Sequence, residues 1–333
     1  MRVSHPSSTW LRREERHLKR TTTRIALAVT AATVALTGVA GAAPRAATAS
    51  SDFAPRLKFP MQITTPVGTI HLTKAPKRIV SLSPAATEML YAIGAGAQVV
   101  AVDKDSNFPR KGLPKVRLDA FNPSVETLVA LHPSLVVLSY NPNNLASQLA
   151  SAGIPVMEQD ASQSLHDTYQ ELTWLGDATG HYPSSLAVAV RVKADIARDV
   201  ARVPAHHAAL SVYFELDPTL YSVTSQTFVG QLLKALGVTN IADAVSSPLD
   251  YGYPQLTAEY VIKANPKVIF LADTVCCKQS YATVAKRPGF SIVAAVRHHH
   301  VIGLNDDVAS RWGPRVAVLM DELTAAVLHV YGK

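Results

Sequence analysis

Cysteine is almost absent from this 333-residue chain, which contains only Cys276 and Cys277, side by side. Two neighbouring thiols are too few for a structural zinc site, because zinc in such sites takes a complete tetrahedral set of protein ligands. The sequence leaves two states open for the pair. In an oxidising compartment they form a vicinal disulfide, or they remain two free thiols.

Charged residues are also scarce, at 17% of the chain against 48% hydrophobic residues. A composition this apolar excludes a disordered or low-complexity chain and provides enough material for a hydrophobic core. The length permits two domains or one large domain.

Several catalytic signatures are missing from the sequence: the Gly-x-Ser-x-Gly elbow, the Walker A loop and the His-Glu-x-x-His motif. Gly94 and Gly96 close a predicted helix, whereas a dinucleotide loop opens one. His298, His299 and His300 precede a predicted strand, where neighbouring side chains point to opposite faces. We therefore expect an exposed turn at these histidines, no metal site and no enzyme.

The net charge of +7 comes mostly from the N-terminus, where residues 1–42 hold seven basic and two acidic groups. An uncharged apolar run over 25–40 and small residues at 40–42 complete the pattern of a signal peptide. The run is shorter than the roughly 20 residues of a membrane span, although an uncleaved anchor is the alternative. The sequence predicts an exported protein with no lipid-anchor cysteine near this segment and no nucleic-acid partner.

Strands and helices are predicted to alternate beyond a flexible leader over 43–58, which indicates parallel α/β architecture. We predict an N-terminal α/β lobe over 59–163, a helical linker with a long bridging helix over 164–204, and a C-terminal α/β lobe over 205–333. The fold class is two Rossmann-like lobes bridged by a single long helix, with a ligand cleft between them. The predicted strands cover 78–82, 99–102, 135–138, 154–157, 211–214, 268–271 and 301–303.

A weak internal repeat links the two lobes. Glu126 is followed seven residues later by Pro133 and then by the strand 135–138, and Glu259 is followed seven residues later by Pro266 and then by the strand 268–271. Equivalent units in both halves favour a pseudo-symmetric, two-lobed protein.

The loops after the predicted strands carry polar and aromatic residues. Because open α/β sheets bind ligands at the carboxyl ends of their strands, these loops are candidates for a ligand cleft. Aromatic walls with a few polar groups suit a large, rigid ligand. Ser83 and Trp312 are candidate ligand contacts on this basis.

The segments 78–88, 122–126, 131–136, 149–156, 232–237, 253–259 and 265–269 together resemble the ferric-siderophore and cobalamin periplasmic binding proteins. These proteins are the substrate-binding components of ABC importers, and the resemblance covers about 76–328. It implies two lobes that move only modestly about a rigid bridging helix. It also implies that Glu126 and Glu259 dock onto a transmembrane permease coupled to its ATPase; otherwise each is a solvated helix residue.

The resemblance to cobalamin binders also implies ligand contacts from both lobes. By neighbouring motif these are Phe121, Tyr140, Phe214, Tyr253 and Asp307. Cobalamin binders often have tryptophan at such places, where this chain has Phe or Tyr. Arg311 and Arg315 are the candidates for contacting an anionic siderophore, although Arg315 is equally placed to cap a helix.

The sequence therefore predicts a monomeric, extracytoplasmic solute-binding protein without a resident cofactor. Its expected ligand is a metal chelate, with a corrinoid slightly favoured over a ferric siderophore and haem third. A metal-ion binder of the same superfamily and a secreted enzyme on a similar scaffold are the alternatives.

Overall fold

The computed structural model describes residues 59–204 and 210–332. The strands of this part of the chain are β1 Met61–Thr65, β2 Gly68–Leu72, β3 Ile79–Leu82, β4 Val99–Asp103, β5 Arg117–Leu118, β6 Leu135–Leu138, β7 Val156–Glu158, β8 Ser211–Glu215, β9 Thr239–Asn240, β10 Val268–Leu271 and β11 Val301–Gly303.

The α-helices of the same residues alternate with these strands. They are α1 Pro84–Ala92, α2 Val125–Ala130, α3 Leu145–Ser151, α4 Leu165–Thr179, α5 Tyr182–Arg202, α6 Phe228–Ala235, α7 Ala258–Ala264, α8 Tyr281–Ala285, α9 Ala294–Arg297, α10 Asp306–Ser310 and α11 Val316–Val330.

Two parallel sheets form the two lobes. The first has the strand order β5-β4-β3-β6-β7 and the second has the order β11-β10-β8-β9. Every residue of β3, β6 and β10 is buried, which explains why β6 and β10 are unbroken apolar runs and why β3 is interrupted only by Ser81. The antiparallel hairpin β1–β2 stands outside both sheets. The predicted two-lobed α/β fold is confirmed.

The linker between the lobes is a pair of helices. In α5, Val188, Val192 and Ile196 face inward, while the basic side chains of the same helix are exposed. At the α4–α5 junction, Gly176 allows the helices to approach closely, because a Cβ there would lie 2.1 Å from the Ser185 hydroxyl. Helix α5 packs against both α4 and α11.

One hydrophobic core runs through both lobes and the linker. It joins Ile79 and Met89 of the first lobe, Leu175 of α4, Phe214 of the second lobe and Leu319 of α11. The lobes are therefore held together by packed side chains as well as by the chain connection.

The structure differs from the sequence prediction mainly at element ends. Strand β8 continues one residue further than predicted, to Glu215, so Phe214 is not the last residue of the strand. Strands β5 and β9 were not predicted, because two residues each are too short to show a periodic pattern.

The predicted signal peptide over 1–42 and leader over 43–58 lie outside the described residues. No helix within 59–204 or 210–332 has the length and apolar character needed to cross a membrane.

Candidate functional site

The two lobes meet where loops leave the carboxyl ends of β4 and β11. Asn107, after β4, donates a hydrogen bond of 2.7 Å from Nδ2 to Oδ2 of Asp307 in α10. A cavity of about 430 Å³ lies at this junction. The first lobe lines it with Asn107, Phe108 and Arg110, and the second lobe lines it with Asn305, Asp307 and Arg315. This is the ligand edge that the parallel sheets predict.

A buried ion-pair network joins the lobes beside this cavity. The Glu88 carboxylate of α1 is only 3% exposed and accepts from Arg311 Nη1 at 2.9 Å and from Arg315 Nε at 2.7 Å. Arg311 also donates to Asp307 Oδ1 at 2.5 Å and to Asn107 Oδ1 at 2.9 Å. Both guanidinium groups are therefore paired with carboxylates, and together they connect the α10–α11 segment to the first lobe.

Arg315 has a second contact on the cavity side. Its guanidinium lies 4.5 Å from the centre of the Phe108 ring, which is a cation–π geometry. Arg315 stands at the N-cap position of α11, but its side chain makes no capping hydrogen bond. The arginine therefore serves the junction between lobes and does not cap its helix.

Trp312 makes a hydrogen bond to the linker helix α4. Its indole Nε1 donates to Oε2 of Glu171 in α4 at 2.8 Å, and the Ser162 hydroxyl donates to Oε1 of the same carboxylate at 2.9 Å. Burial raises the pKa of Glu171 to about 7, against the lowering effect of these two hydrogen bonds. The structure thus gives the predicted cleft residue Trp312 a protein partner.

Exposed aromatic side chains stand on loops of both lobes. Phe121 and Tyr140 of the first lobe are 70% and 55% exposed, and their ring centres are 5.8 Å apart. Asp119 holds the Phe121 turn by accepting from two backbone N–H groups. On the second lobe, Tyr253 is half-exposed and Tyr251 is almost fully exposed. Three of the predicted ligand contacts are therefore accessible.

Two of the predicted ligand contacts are buried and have structural roles. Phe214 is fully buried in β8 and packs against Phe270, with ring centres 6.2 Å apart, so it belongs to the core. Ser83 is 1% exposed, and its hydroxyl accepts from the Ala86 N–H as the N-cap of α1. The serine before Pro84 is a helix-start signal, and that local role accounts for it.

The two predicted docking glutamates occupy equivalent positions. Glu126 and Glu259 are the second residues of α2 and α7, after the N-caps Ser124 and Thr257, and both are exposed. A hydrogen bond from its own backbone N–H, and then one from the Ser124 hydroxyl, lower the pKa of Glu126.

The repeat extends beyond the glutamates. The backbone turns left-handed at His132 (φ 46°) and at Asn265 (φ 47°), immediately before each proline. The internal repeat is therefore a structural repeat.

The cysteine pair and the histidine run are both on the surface of the second lobe. Cys276 and Cys277 form a vicinal disulfide. His298 and His299 are exposed, as predicted, and His299 stacks on Tyr281 with ring centres 4.6 Å apart. No group of three metal-ligating side chains occurs within 59–204 and 210–332.

The contacts at the centre of the junction between the lobes were not predicted from the sequence. Glu88 was seen only as part of a motif, although a lone glutamate among the apolar residues of α1 signals a buried ion pair. Asn107 and Phe108 were not predicted as site residues, and the pairing of both arginines with Glu88 spans more than 220 residues of sequence. No local pattern predicts that contact.

A cavity between two parallel-sheet lobes that are joined by linker helices is the arrangement of a two-lobed solute-binding protein. The chain belongs to the periplasmic binding protein family, whose profile matches residues 79–308. The members of this family are solute-binding proteins.

The chain is also similar to individual substrate-binding proteins. The chain is 31% identical over 267 residues to an uncharacterised ABC transporter substrate-binding lipoprotein, YvrC, of Bacillus subtilis, covering 78% of this chain and 82% of the relative. It is 27% identical to the vitamin B12-binding protein of Pectobacterium atrosepticum, covering 77% and 90%. The structure of the haem-binding protein RhuT from Roseiflexus is similar, with a TM-score of 0.67, 25% identity and coverage of 76% and 98%.

Proposed function

We propose that this protein captures a corrinoid between its lobes and delivers it to the permease of an ABC importer. It acts as a monomeric binding protein and not as an enzyme, and the chelate is its cargo, not a resident cofactor. The observation that carries the choice of ligand is the charge balance at the inter-lobe cavity.

That balance disfavours a strongly anionic chelate. Arg311 and Arg315 are already neutralised by Glu88 and Asp307, so they offer little net attraction to carboxylates or catecholates. Arg110 also lines the cavity. Among the residues that the structure describes, this arginine has no carboxylate partner. A corrinoid presents neutral amides around its ring and a phosphodiester in its nucleotide loop, which matches one unpaired cation.

The exposed aromatic side chains support a large, flat ligand. Phe121 and Tyr140 on one lobe and Tyr253 on the other provide apolar faces with little conformational entropy to lose. The relatives that are named for vitamin B12 or cobalamin binding support the same ligand class. Trp312 is partly buried and donates to Glu171, so the exposed aromatic contact area comes from Phe and Tyr.

Haem is the second candidate, and one observation favours it. The exposed phenols of Tyr140 and Tyr253 are groups that ligate haem iron in other proteins. The haem-binding structural neighbours agree with that possibility.

The proposed contact between Arg110 and the phosphodiester of the ligand can be tested with two corrinoids. Arg110→Gln should weaken the binding of cyanocobalamin by about tenfold, because one charged hydrogen-bonded contact is lost, whereas Arg110→Lys should retain most of it. Dicyanocobinamide lacks the nucleotide phosphate, so it should bind the wild type and Arg110→Gln equally. Calorimetric titration measures all five combinations of protein and ligand, and an equal loss for both corrinoids would refute the assignment.

Permease docking is the second part of the proposal. Glu126 and Glu259 are exposed, one per lobe, in equivalent geometry, and charge pairs of this kind mainly set orientation and encounter rate. In cells expressing Glu126→Gln/Glu259→Gln, cobalamin uptake should fall by about tenfold or more, while the purified variant binds ligand normally. Asp160→Asn, another exposed carboxylate, is the matched control. Normal uptake in the double variant would remove the docking assignment.

A further inference from the structure

The loop after β10 carries the Cys276–Cys277 disulfide, and none of the proposed ligand or permease contacts uses it. We define residues 273–280 as the disulfide loop. Cys276 is exposed and Cys277 is partly exposed, so reductants in solution reach the sulfur atoms. The loop leaves the carboxyl end of its strand, which is the same edge of the sheet that faces the ligand cavity.

Asp306 ties this loop to the next element. Its Oδ2 accepts from the Cys276 N–H at 2.7 Å, and its Oδ1 accepts from the Val275 N–H at 2.9 Å. The Thr274 hydroxyl lies 3.1 Å from the same Oδ1, but it donates to the Leu304 carbonyl at 2.5 Å. Two backbone donors from consecutive residues therefore converge on one carboxylate, and such charge-assisted hydrogen bonds are about twice as strong as neutral ones.

Asp306 is also the first residue of α10, the helix that contacts the other lobe. The next residue, Asp307, accepts from Asn107 of the first lobe, and Arg311, just after α10, donates to Glu88 and Asn107. A continuous set of contacts thus runs from the disulfide through Asp306 to the residues that line the cavity and join the lobes.

The disulfide constrains the backbone that presents these donors. The bond closes a small ring across the Cys276–Cys277 peptide, and Lys278 next to it is held at a left-handed φ of 57°. Within the disulfide loop, the Cys277 N–H and the Gln279 N–H both donate to the Asp273 carbonyl. Opening the ring returns backbone freedom to residues 276 and 277. The Val275 and Cys276 amides are then less often aligned on the Asp306 carboxylate.

We propose that the Cys276–Cys277 disulfide is a redox-sensitive positioning device for the ligand cavity. A dithiol reductant breaks the sulfur–sulfur bond and transfers two electrons and two protons, leaving two cysteine thiols and an oxidised, disulfide-bonded reductant. In the reduced protein Asp306 loses aligned donors, α10 loosens, and the cavity holds its ligand less tightly. The effect on ligand affinity rests on the proposed function, whereas the effect on α10 does not.

Hydrogen–deuterium exchange tests the coupling without any ligand. After treatment with dithiothreitol, with both thiols verified by mass spectrometry, the amides of 307–312 should exchange about tenfold faster, whereas those of β6 should not change. Cys276→Ser/Cys277→Ser without reductant should give the same result. Ile292→Ser, which alters an exposed apolar residue of the same lobe, is the control and should match the oxidised wild type.

Asp306→Asn separates transmission from local loosening. In the oxidised variant, 307–312 should already exchange faster, and reduction should then accelerate the disulfide loop but add nothing at 307–312. If reduction of the wild type leaves 307–312 unchanged, or accelerates it to the same degree in Asp306→Asn, the positioning role is refuted.

The ligand measurement uses cyanocobalamin and no reductant, because reductants also react with its cobalt. The Kd of Cys276→Ser/Cys277→Ser should exceed that of the wild type by about fivefold or more. An unchanged Kd together with faster exchange at 307–312 would refute the effect on the cavity. If the oxidised wild type binds no cyanocobalamin, the proposed function fails, and the exchange experiment still decides whether the disulfide controls α10.

Discussion

Single residues decide how the lobes are joined, and Glu88 is the clearest case. It is the buried carboxylate that neutralises Arg311 and Arg315, and removing it would leave two guanidinium groups without their common partner. Uncompensated buried charge is among the few causes of a large loss of stability from one substitution. The identity of this residue is readable from the sequence, but its partners are not.

Glu88→Ala should lower the free energy of unfolding by about 3–5 kcal/mol, as expected when one member of a buried ion pair is removed. Urea denaturation measures the change. Lys104→Ala breaks the exposed pair with Asp119 and is the control, with an expected loss below about 1 kcal/mol. Equal losses in the two variants would show that the Glu88 network contributes no more than a surface pair.

Glu171 should make stability depend on pH near neutrality. Its folded-state pKa of about 7 lies above the value of 4.5 expected for an unperturbed glutamate, so the folded state holds the proton more tightly. The folded protein therefore loses stability as the pH rises from about 4.5 to about 7.

Glu171→Gln removes this titration. Relative to the wild type, the variant should gain on the order of 2 kcal/mol between about pH 5 and pH 8. Because all other groups are shared, the difference between the two proteins isolates Glu171. A difference in unfolding free energy that does not vary with pH would contradict the assignment.

At the scale of elements, the sequence was most informative where one physical pattern dominated. The fully buried strands β6 and β10 were predicted to the residue, because unbroken apolar runs mark them. Strand β8 was predicted one residue short, so Phe214 was placed at the end of the strand beside the ligand loops, although its side chain lies in the core. Long-range contacts such as Trp312 with Glu171 leave no local pattern, so the site could be predicted only in part.

The α4–α5 junction gives a prediction at this scale. Gly176→Ala places a Cβ against the Ser185 side chain and should destabilise the protein by about 1–3 kcal/mol through overpacking. Thermal unfolding measures the change, and Ser184→Ala on the exposed face of α5 is the control. A Gly176→Ala variant as stable as the control would show that the helices separate easily.

For the whole molecule, the common hydrophobic core and the Glu88 network both oppose large hinge motion. The core includes side chains of both lobes and the linker. The Glu88 network joins the first lobe to the α10–α11 segment beside the cavity. The protein should therefore bind ligand with little change of shape.

Small-angle scattering with and without cyanocobalamin tests this rigidity. The radius of gyration should change by less than about 1 Å on binding, as in complexes whose partners are preorganised. A larger contraction on saturation with ligand would indicate wide closure and contradict a lobe junction fixed by Glu88.

The proposed function requires the cavity to select a corrinoid over other metal chelates. The most direct test mixes the purified protein with equal amounts of cyanocobalamin, haemin and a ferric tris-catecholate, separates bound from free ligand by gel filtration, and reads the absorbance spectrum of the protein fraction. The protein fraction should show a corrinoid spectrum at one equivalent per chain. A protein fraction that carries haem or the iron chelate in place of the corrinoid would contradict it.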